Sequence, residues 1–465
     1  MNRPSSNYEL PRRSYTRTLV GIGSALMFLL GTSLMAFAHG SAETSTASKG
    51  PVTVTFWEAY SGPLGADLAH LVNEFNSSQT QYKVDAVYKG TYPETMAATI
   101  AAYRAHNAPA LTMIFDVGTA TMQYSKGVYI PVYQLMKQNN IPFATSDFIG
   151  GAASYYEDAN GNLNSMPFAS STPVLYYNKD MLAKIGVTTP PKTWQEMGAV
   201  GRKLVQAGLT KYGFTIGWPD WTQFEQYAVW NGYHFATNHN GYDGIKGTQV
   251  LINTKPFVDH INQLAQWGKE NVFFYGGRES TPDTLFIDGK VGMYIDSSAT
   301  YAAIAAGAKF SFGESALPYE GGAPGAPQNT VVGGNSLWVM AGSPSNVYPG
   351  VAKFLQFLMS GKSQAYWASN TGYVPVTQTG VQEMNSNGFY ASHPDAKVAV
   401  DELTNKPPTP WSRGIRLGGL PQIRDIENAA ITAVFAGKET AQAALDAAAQ
   451  QANKVLADFA ATYGG

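Results

Sequence analysis

Phe168-Ala169-Ser170-Ser171-Thr172-Pro173-Val174-Leu175-Tyr176-Tyr177-Asn178-Lys179-Asp180 is the stretch on which the fold prediction depends. Its residues Val174 to Tyr177 have the length and β-rich composition of a buried strand, and Asn178-Lys179-Asp180 ends that strand and begins a helix. The hydroxyl residues before the strand therefore lie where the chain enters a new sheet. Short hydroxyl side chains can donate hydrogen bonds to an anion, but Ser-Ser-Thr-Pro is also an ordinary turn composition.

Strands and helices alternate on both sides of this stretch. Before it, Val52 to Trp57, Tyr82 to Tyr88 and Ala110 to Phe115 are strand-like, with helical patterns between them. After it, Tyr212 to Ile216 and Val291 to Ile295 are again strand-like. The alternation predicts an α/β protein with a doubly wound lobe, built on a parallel sheet, followed by a second α/β lobe. Ligands bind such sheets beyond the carboxyl ends of strands, which is where Tyr92, in the loop after the second strand, and Asp116, at the end of the third, would lie.

The chain has 465 residues, which is enough for two domains of ordinary size. We predict two doubly wound lobes joined by a hinge, with a cleft between them. Lobe 1 is expected to comprise residues 52–170 plus about 310–360. Lobe 2 is expected to comprise residues 171–309 plus about 361–465.

Composition argues against nucleic acid as a partner. Charged residues make up 14% of the chain and the formal net charge is −2, so neither a basic surface nor an acidic tail is indicated. Aromatic residues make up 12%, which fits a cleft lined with rings and equally fits an aromatic-rich core.

Residues 1–38 have the three parts of a secretory signal peptide. An apolar stretch from Leu19 to Met35 is followed by Ala36-Phe37-Ala38, which matches a cleavage site. An uncleaved membrane anchor is the alternative, because about 17 apolar residues are near the lower limit for crossing a bilayer. The basic part contains three arginines, of which the adjacent first two also fit a twin-arginine signal: Arg12, Arg13 and Arg17.

Residues 39–51 are rich in Ser, Thr, Ala and Gly and are typical of a flexible leader. The chain contains no cysteine, which excludes disulfides, thiolate metal sites and a lipidated cysteine. We expect a freely soluble protein of the periplasm, cleaved near Ala38.

No catalytic constellation is present in the sequence. It contains no G-x-S-x-G elbow, no H-E-x-x-H motif and no P-loop, and the histidines have no metal-ligand spacing. A carboxylate pair of the glycosidase kind, assembled across the lobes, remains open. We predict a protein that is not an enzyme and that uses no cofactor and no metal.

Two motifs suit a small polyol or an anion. Trp218-Pro219-Asp220-Trp221 holds two indoles that could sandwich the CH-rich face of a polyol, although two core tryptophans at a helix start would look the same. Gly333-Gly334 interrupts a strand pattern, so a ligand could approach the backbone there; a bulge without a ligand is the alternative.

Further candidates concern an anion. Asp296-Ser297-Ser298 lies between a strand and a helix, where hydroxyls and the first helical N–H groups could face an anion or form a plain N-cap. Arg413, Arg416 and Arg424 surround a Gly-rich loop, and one of them could anchor phosphate or carboxylate bidentately. Surface ion pairs are the alternative for these arginines.

Over nearly all of residues 52–460 the chain resembles a known family: the periplasmic sn-glycerol-3-phosphate-binding proteins of ABC importers, within the maltose-binding-like extracellular solute-binding proteins. The resemblance implies a periplasmic-binding-protein-like fold. The motifs that carry it are short and occur in one order: Tyr88-Lys-Gly-Thr-Tyr92, Val117-Gly-Thr-Ala-Thr-Met122, Ser170 to Asp180, Pro191-Lys-Thr-Trp194, Ala326-Pro327-Gln328-Asn329, Gly333-Gly334, Ser336-Leu-Trp-Val-Met340, Thr371-Gly-Tyr373, Asn405-Lys-Pro-Pro408, Arg416-Leu-Gly418 and Pro421-Gln-Ile-Arg424.

The resemblance also implies the site residues. Glycerol would lie between Trp218 and Trp221, and Tyr92 would line the site. Asp116 stands where the family pattern has a glutamate, and its side chain is shorter by about 1.5 Å. A carboxylate is kept for the glycerol hydroxyls, but the contact could become water-mediated. Phosphate contacts would come from five residues: Ser171, Ser297, the backbone of Gly334, Tyr373 and Arg424.

From these observations we expect the soluble substrate-binding component of an ABC importer, which captures sn-glycerol 3-phosphate by closure of its lobes. Its partners would be the membrane permease and ATPase subunits, and the protein would be a monomer. A receptor for a glycerophosphodiester such as glycerophosphocholine, or for an oligosaccharide, is the alternative within binding. A secreted phosphodiesterase is the alternative from another class.

Overall fold

A computed structural model describes residues 50–464 of the chain. The predicted signal peptide (1–38) and most of the predicted leader lie outside the described residues. Within residues 50–464 the strands are β1 (Val52–Glu58), β2 (Tyr82–Tyr88), β3 (Leu111–Phe115), β4 (Tyr129–Ile130), β5 (Met166–Ser171), β6 (Pro173–Asn178), β7 (Tyr212–Ile216), β8 (Phe273–Phe274), β9 (Val291–Ser297), β10 (Phe312–Ala316) and β11 (Gly333–Met340).

Helices cover these strands. They are α1 (Gly62–Ser78), α2 (Tyr92–Arg104), α3 (Thr119–Tyr124), α4 (Val132–Gln138), α5 (Gly150–Tyr156), α6 (Lys179–Lys184), α7 (Trp194–Gln206), α8 (Gln226–Asn231), α9 (Thr237–Gly241), α10 (Lys255–Lys269), α11 (Asp283–Ile287), α12 (Tyr301–Gly307), α13 (Tyr348–Leu358), α14 (Gly361–Thr371), α15 (Gln378–Ser386), α16 (Phe389–Ser392), α17 (Val398–Leu403), α18 (Leu420–Phe435) and α19 (Ala441–Tyr463). A π-helical turn, Trp221–Glu225, leads into α8. No helix within residues 50–464 is both long and apolar enough to cross a bilayer.

Local sequence explains where the main helices begin and which face they bury. Thr193 caps α7, since its side chain accepts from the backbone N–H of Glu196 while the Glu196 carboxylate accepts from the Thr193 N–H. In α1 the buried residues recur at helical spacing, so one stripe faces the sheet: Leu68, Leu71, Val72 and Phe75.

The first sheet has the order β2-β1-β3-β11-β4, and β5 pairs with β11. Strands β1, β2 and β3 run parallel, as the alternation predicts. The sheet that was predicted as parallel also contains an antiparallel strand, since β11 runs antiparallel to β3, β4 and β5. This strand arrives from the second half of the chain, not through a helical crossover on the same sheet.

The second sheet has the order β10-β6-β9-β7-β8. Strand β7 runs parallel to β8 and β9, and β6 runs antiparallel to β9 and β10. Each sheet is covered by helices, so the structure confirms an α/β protein with two lobes.

The chain crosses between the sheets at the stretch singled out from the sequence. Strand β5 ends at Ser171 in the first sheet and β6 begins at Pro173 in the second, so Thr172 is the crossing residue. A second crossing, residues 317–332, joins β10 to β11. The hydroxyl cluster therefore lies where the two sheets meet.

Two segments lie elsewhere than the predicted lobe boundaries place them. Strand β10, within the range assigned to lobe 1, pairs with β6 of the second sheet. Helix α14, assigned to lobe 2, packs on α1 beside the first sheet, and its Trp367 is buried in that core. Helices α18 and α19 do pack on α10, beside the second sheet. Order along the chain could not show these placements, since strand pairing and helix docking link segments far apart in sequence.

Candidate functional site

A cavity of about 480 Å³ lies where residues of the two lobes face each other. The first lobe contributes the ends of β1, β3 and β5 and the start of α2, and the second contributes the end of β9 and helix α18. All nine residues predicted from the sequence line this cavity: Tyr92, Asp116, Ser171, Trp218, Trp221, Ser297, Gly334, Tyr373 and Arg424.

Arg424 of α18 is buried and held by carboxylates. Its Nε donates to Oε1 of Glu225 at 2.7 Å, and its Nη2 donates to Oε2 of Glu225 at 2.9 Å and to Oδ2 of Asp116 at 3.1 Å. Asp220 lies 4.0 Å from Nε. The Nη1 atom makes no hydrogen bond to any residue within 50–464, so it is the edge of the guanidinium left for a ligand.

Burial favours the neutral forms of the carboxyl groups around Arg424. Burial raises the pKa of Asp116 above its ordinary value, against the lowering effect of the Arg424 charge. Burial also raises the pKa of Glu225 to about 7, again opposed by Arg424. Glu427 is fully buried, has no hydrogen-bond partner in the described chain, and burial raises its pKa well above the usual range. Burial thus favours the neutral form of Glu427, which carries no negative charge beside Glu225 and Asp220.

Of the three arginines around the Gly-rich loop, only Arg424 lines the cavity. Arg416 lies over the Tyr242 ring at 3.9 Å and donates to the Glu157 carbonyl. Arg413 pairs with the Glu157 carboxylate at 3.6 Å. These two arginines are structural, which the sequence left open.

Ser171 and Ser297 face the cavity from different lobes. Ser171 is the last residue of β5, and its hydroxyl makes no hydrogen bond within residues 50–464. Ser297 ends β9, and its Oγ accepts from the N–H of Ala299 at 3.1 Å. The N-cap interpretation of Ser297 is therefore correct, yet capping uses only a lone pair and leaves the hydroxyl hydrogen free to donate.

The two tryptophans occupy different environments. Trp218 is hydrogen-bonded to residues of the second lobe. Its Nε1 donates to Oγ of Ser280 at 3.0 Å, and its backbone N–H donates to the Glu279 carbonyl. Trp221 is buried, and a Cβ added to Gly333 would lie 2.7 Å from its ring. The absence of a side chain at Gly333 thus makes room for this indole.

The backbone conformation at position 334 requires a glycine. Its φ is +99°, and an added Cβ would lie 2.0 Å from the carbonyl oxygen of Ala169 on β5. Only glycine tolerates this conformation and this close approach.

Two residues of the cavity region were missed by the sequence analysis. Tyr60 follows the carboxyl end of β1 and lines the cavity, and buried Asn335 follows Gly334 in β11. The strand-end rule that singled out Tyr92 and Asp116 applies equally to Tyr60 and would have found it. Nothing in the sequence marks Asn335, because its contacts are with residues more than 200 positions away.

No group of three or more His, Asp or Glu side chains within residues 50–464 is arranged to hold a metal ion. The polar groups of the cavity are instead hydroxyls, backbone amides, one guanidinium and carboxylates. Such a set can bind an anion next to hydroxyl groups.

Comparison with known proteins agrees with this geometry. The family model described as bacterial extracellular solute-binding protein matches residues 70–398. The sn-glycerol-3-phosphate-binding periplasmic protein UgpB of Pectobacterium atrosepticum is 43% identical over 91% of this chain and 95% of its own length. The protein of the same name from Escherichia coli K12 is 40% identical over 96% of this chain and 98% of its own length.

Solved structures show the same architecture. UgpB from Mycobacterium tuberculosis, in complex with glycerophosphocholine, superposes with a TM-score of 0.74 at 21% identity, covering 88% of this chain and 99% of that one. Maltose-bound MalE3 of T. maritima superposes with a TM-score of 0.71 at 17% identity, covering 87% and 99%. At these identities the superpositions establish the fold alone.

Proposed function

Since this chain belongs to the bacterial extracellular solute-binding proteins, we propose that it is the substrate-binding component of an ABC importer and captures sn-glycerol 3-phosphate. The observation that carries the proposal is the convergence of hydroxyl donors from both lobes and one buried arginine on a single cavity. We propose closure of the lobes as the capture step, because each lobe supplies only part of the donor set.

The phosphate end is proposed to lie between Ser171, Ser297, the backbone N–H of Gly334, Tyr373 and Nη1 of Arg424. Hydrogen bonds from a charged donor to phosphate are about twice as strong as neutral ones, and burial in the cavity strengthens them further. The pairing of Arg424 with Glu225 fixes the guanidinium in one orientation before the ligand arrives. Less side-chain entropy is therefore lost on binding.

The glycerol end is proposed to lie against Trp218 and Trp221, with Tyr92 and Asp116 beside it. Oδ2 of Asp116 accepts from Arg424, so Oδ1 is proposed to accept from a glycerol hydroxyl. The shorter side chain at this position reaches the ligand directly or through one water.

We propose the periplasm as the location, with cleavage near Ala38, and the permease and ATPase of the importer as partners. The curated relatives are periplasmic binding proteins by name, and no bond is made or broken in such a role. We propose that the protein is a monomer and that it does not convert its ligand into a product.

A glycerophosphodiester is a second candidate ligand, favoured by one feature of the cavity. Its lining includes two acidic residues, Glu279 and Asp283, as well as Trp218. Carboxylates beside an indole suit the cationic head of a choline ester.

Calorimetric titration of residues 39–465 with sn-glycerol 3-phosphate and, separately, glycerophosphocholine tests both candidates. Saturable binding of the first with weak response to the second supports the proposal. Preference for the second keeps the importer role and changes the ligand. Binding of neither ligand overturns the proposed function, and saccharides would then be tested as ligands. Release of glycerol or phosphate during incubation would indicate an enzyme.

A further inference from the structure

Three tyrosines and one asparagine form a hydrogen-bonded cluster on the first-lobe side of the cavity. Nδ2 of Asn335 donates to the Tyr60 hydroxyl at 2.6 Å and to the Tyr92 hydroxyl at 2.9 Å. The Tyr92 hydroxyl donates to that of Tyr60 at 2.9 Å and lies 3.1 Å from that of Tyr373. The three rings also pack on one another or on Trp367.

Asn335 lies inside the first sheet, where β11 pairs with β3 at Phe115 and with β5 at Ala169. The irregularity in this pairing falls on β5, which has one extra residue between Pro167 and Ala169, so β11 itself is regular at Asn335. Asn335 has no exposed surface; its Nδ2 is held between two phenols, and its Oδ1 has no hydrogen-bond partner within residues 50–464.

The number of available hydrogens determines which group donates in each hydrogen bond of the cluster. A phenol oxygen has one hydrogen to donate and two lone pairs to accept with. Tyr60 accepts from both Asn335 and Tyr92, so its lone pairs are used, and its own hydrogen is available to the Tyr373 hydroxyl or to a ligand in the cavity. Because Tyr92 gives its hydrogen to Tyr60, the contact between Tyr92 and Tyr373 is donated by Tyr373.

We propose that Tyr60 is a further ligand-binding residue and that Asn335 is the positioning residue that makes it a donor. Asn335 occupies phenol lone pairs with its two N–H groups and thereby directs the Tyr60 hydrogen into the cavity. The inference rests on the proposed function and deepens it. Tyr60 then offers a hydrogen and no free lone pair to the cavity, which suits a deprotonated phosphoryl oxygen, an acceptor only, and disfavours a ligand hydroxyl that must donate.

The amide orientation of Asn335 is what the proposal depends on. The opposite orientation would place Oδ1 against both phenols, which would then donate to it and present lone pairs to the cavity. An aspartate at position 335 imposes that opposite arrangement, because an ionised carboxylate can only accept.

The test is a double-mutant cycle with sn-glycerol 3-phosphate as the probe, measured by calorimetry on the wild type, Tyr60→Phe, Asn335→Asp and the double variant. Tyr60→Phe should weaken binding by about 10-fold to 100-fold, the loss of one hydrogen bond to a charged group. Asn335→Asp should weaken it by about 100-fold or more, since it removes the donor and adds a buried negative charge. In the Asn335→Asp background, adding Tyr60→Phe should cost almost nothing further, because the Tyr60 hydrogen is already turned away.

Asn178→Asp is the matched control, since Asn178 is also buried but caps α6 away from the cavity, and aspartate caps equally well. It should bind as the wild type does. Thermal unfolding of every variant identifies any that fails to fold, and Tyr60→Phe alone then decides the role of Tyr60.

Each outcome has one meaning. Binding by Tyr60→Phe within twofold of the wild type, equal binding by Asn335→Asp, or additive losses in the double variant would overturn the inference and leave the proposed function standing. A folded wild type that does not bind sn-glycerol 3-phosphate would overturn the proposed function, and this inference with it.

Discussion

Nη2 of Arg424 donates to Oδ2 of Asp116 at 3.1 Å, and this ion pair joins helix α18 to the end of strand β3. The two residues belong to different lobes, and both are buried. In the proposed site, a ligand phosphate and Asp116 would therefore share the same guanidinium.

Removal of Asp116 should affect the two ends of the ligand differently. In Asp116→Ala the affinity for sn-glycerol 3-phosphate should fall by about 10-fold, since an acceptor for a glycerol hydroxyl is lost. The affinity for propyl phosphate, which lacks those hydroxyls, should stay equal or rise, because a negative charge beside the phosphate is gone. Calorimetry with both ligands measures the ratio of the two affinities in the wild type and in Asp116→Ala. The control is Asp395→Ala, because Asp395 pairs with Lys179 at the surface. An equal loss of affinity for both ligands in Asp116→Ala would contradict the proposed role of Asp116.

Arg424 should matter more to binding than Ser171. Arg424→Ala removes the only cation of the proposed phosphate site and should weaken sn-glycerol 3-phosphate by about 100-fold or more, against about 10-fold for Ser171→Ala. Arg424→Lys should also bind sn-glycerol 3-phosphate weakly, because an ammonium cannot donate two N–H groups to Glu225 and contact the ligand as well. Calorimetry compares the variants, and similar affinities for Arg424→Ala and Ser171→Ala would rule out Arg424 as the anchor.

Arg424→Ala should also destabilise the protein, because it leaves the Glu225 carboxylate buried without its partner, a change that costs about 3–5 kcal/mol in buried pairs. Thermal unfolding at pH 7.5 separates this effect from lost binding. The additional variant Glu225→Gln in the Arg424→Ala background should restore part of the stability without restoring the affinity.

Stability should fall at alkaline pH because of Glu402. Its Oε1 accepts from the N–H of Leu317 at 2.6 Å, its Oε2 has no partner in the described chain, and burial raises its pKa to about 8. The pKa is thus higher folded than unfolded, so its contribution is fully present below about pH 4.5 and is lost as the pH rises through about 8.

The variant Glu402→Gln isolates this contribution. Glutamine keeps the acceptor for Leu317 and cannot ionise, so the variant should be more stable than the wild type at pH 9 and gain nothing at pH 5. Urea unfolding at the two pH values measures the difference. The exposed Glu383→Gln should change neither value, and an equal gain for Glu402→Gln at both pH values would contradict the assignment.

Gly334 and Gly342 provide a matched pair for backbone strain. Their φ values are +99° and +100°, but an added Cβ meets the Ala169 carbonyl at 2.0 Å in the first and nothing within 4 Å in the second. Gly342→Ala should cost about 1–2 kcal/mol of unfolding free energy, the price of a left-handed alanine. Gly334→Ala should cost clearly more and should also weaken ligand binding, since β11 must move away from β5. Chemical denaturation measures both, and equal losses would show that the carbonyl contact is unimportant.

The sequence by itself determined the α/β class, the two lobes and the residue types of the site. Strand and helix periods are local properties, so Val52 to Trp57 and the helical stripe of α1 could be recognised without tertiary information. The resemblance of short ordered motifs to one family then indicated nine residues, and one cavity brings all nine together.

Only the tertiary structure decided the arrangement of charges and hydrogens. The antiparallel insertion of β11, the docking of α14 on α1 and the pairing of Arg424 with Glu225 join positions far apart in the chain. The same holds for Asn335 and the phenols of Tyr60 and Tyr92. A hydrogen bond depends on distances of a few tenths of an ångström between such positions, and local sequence preferences do not encode those distances.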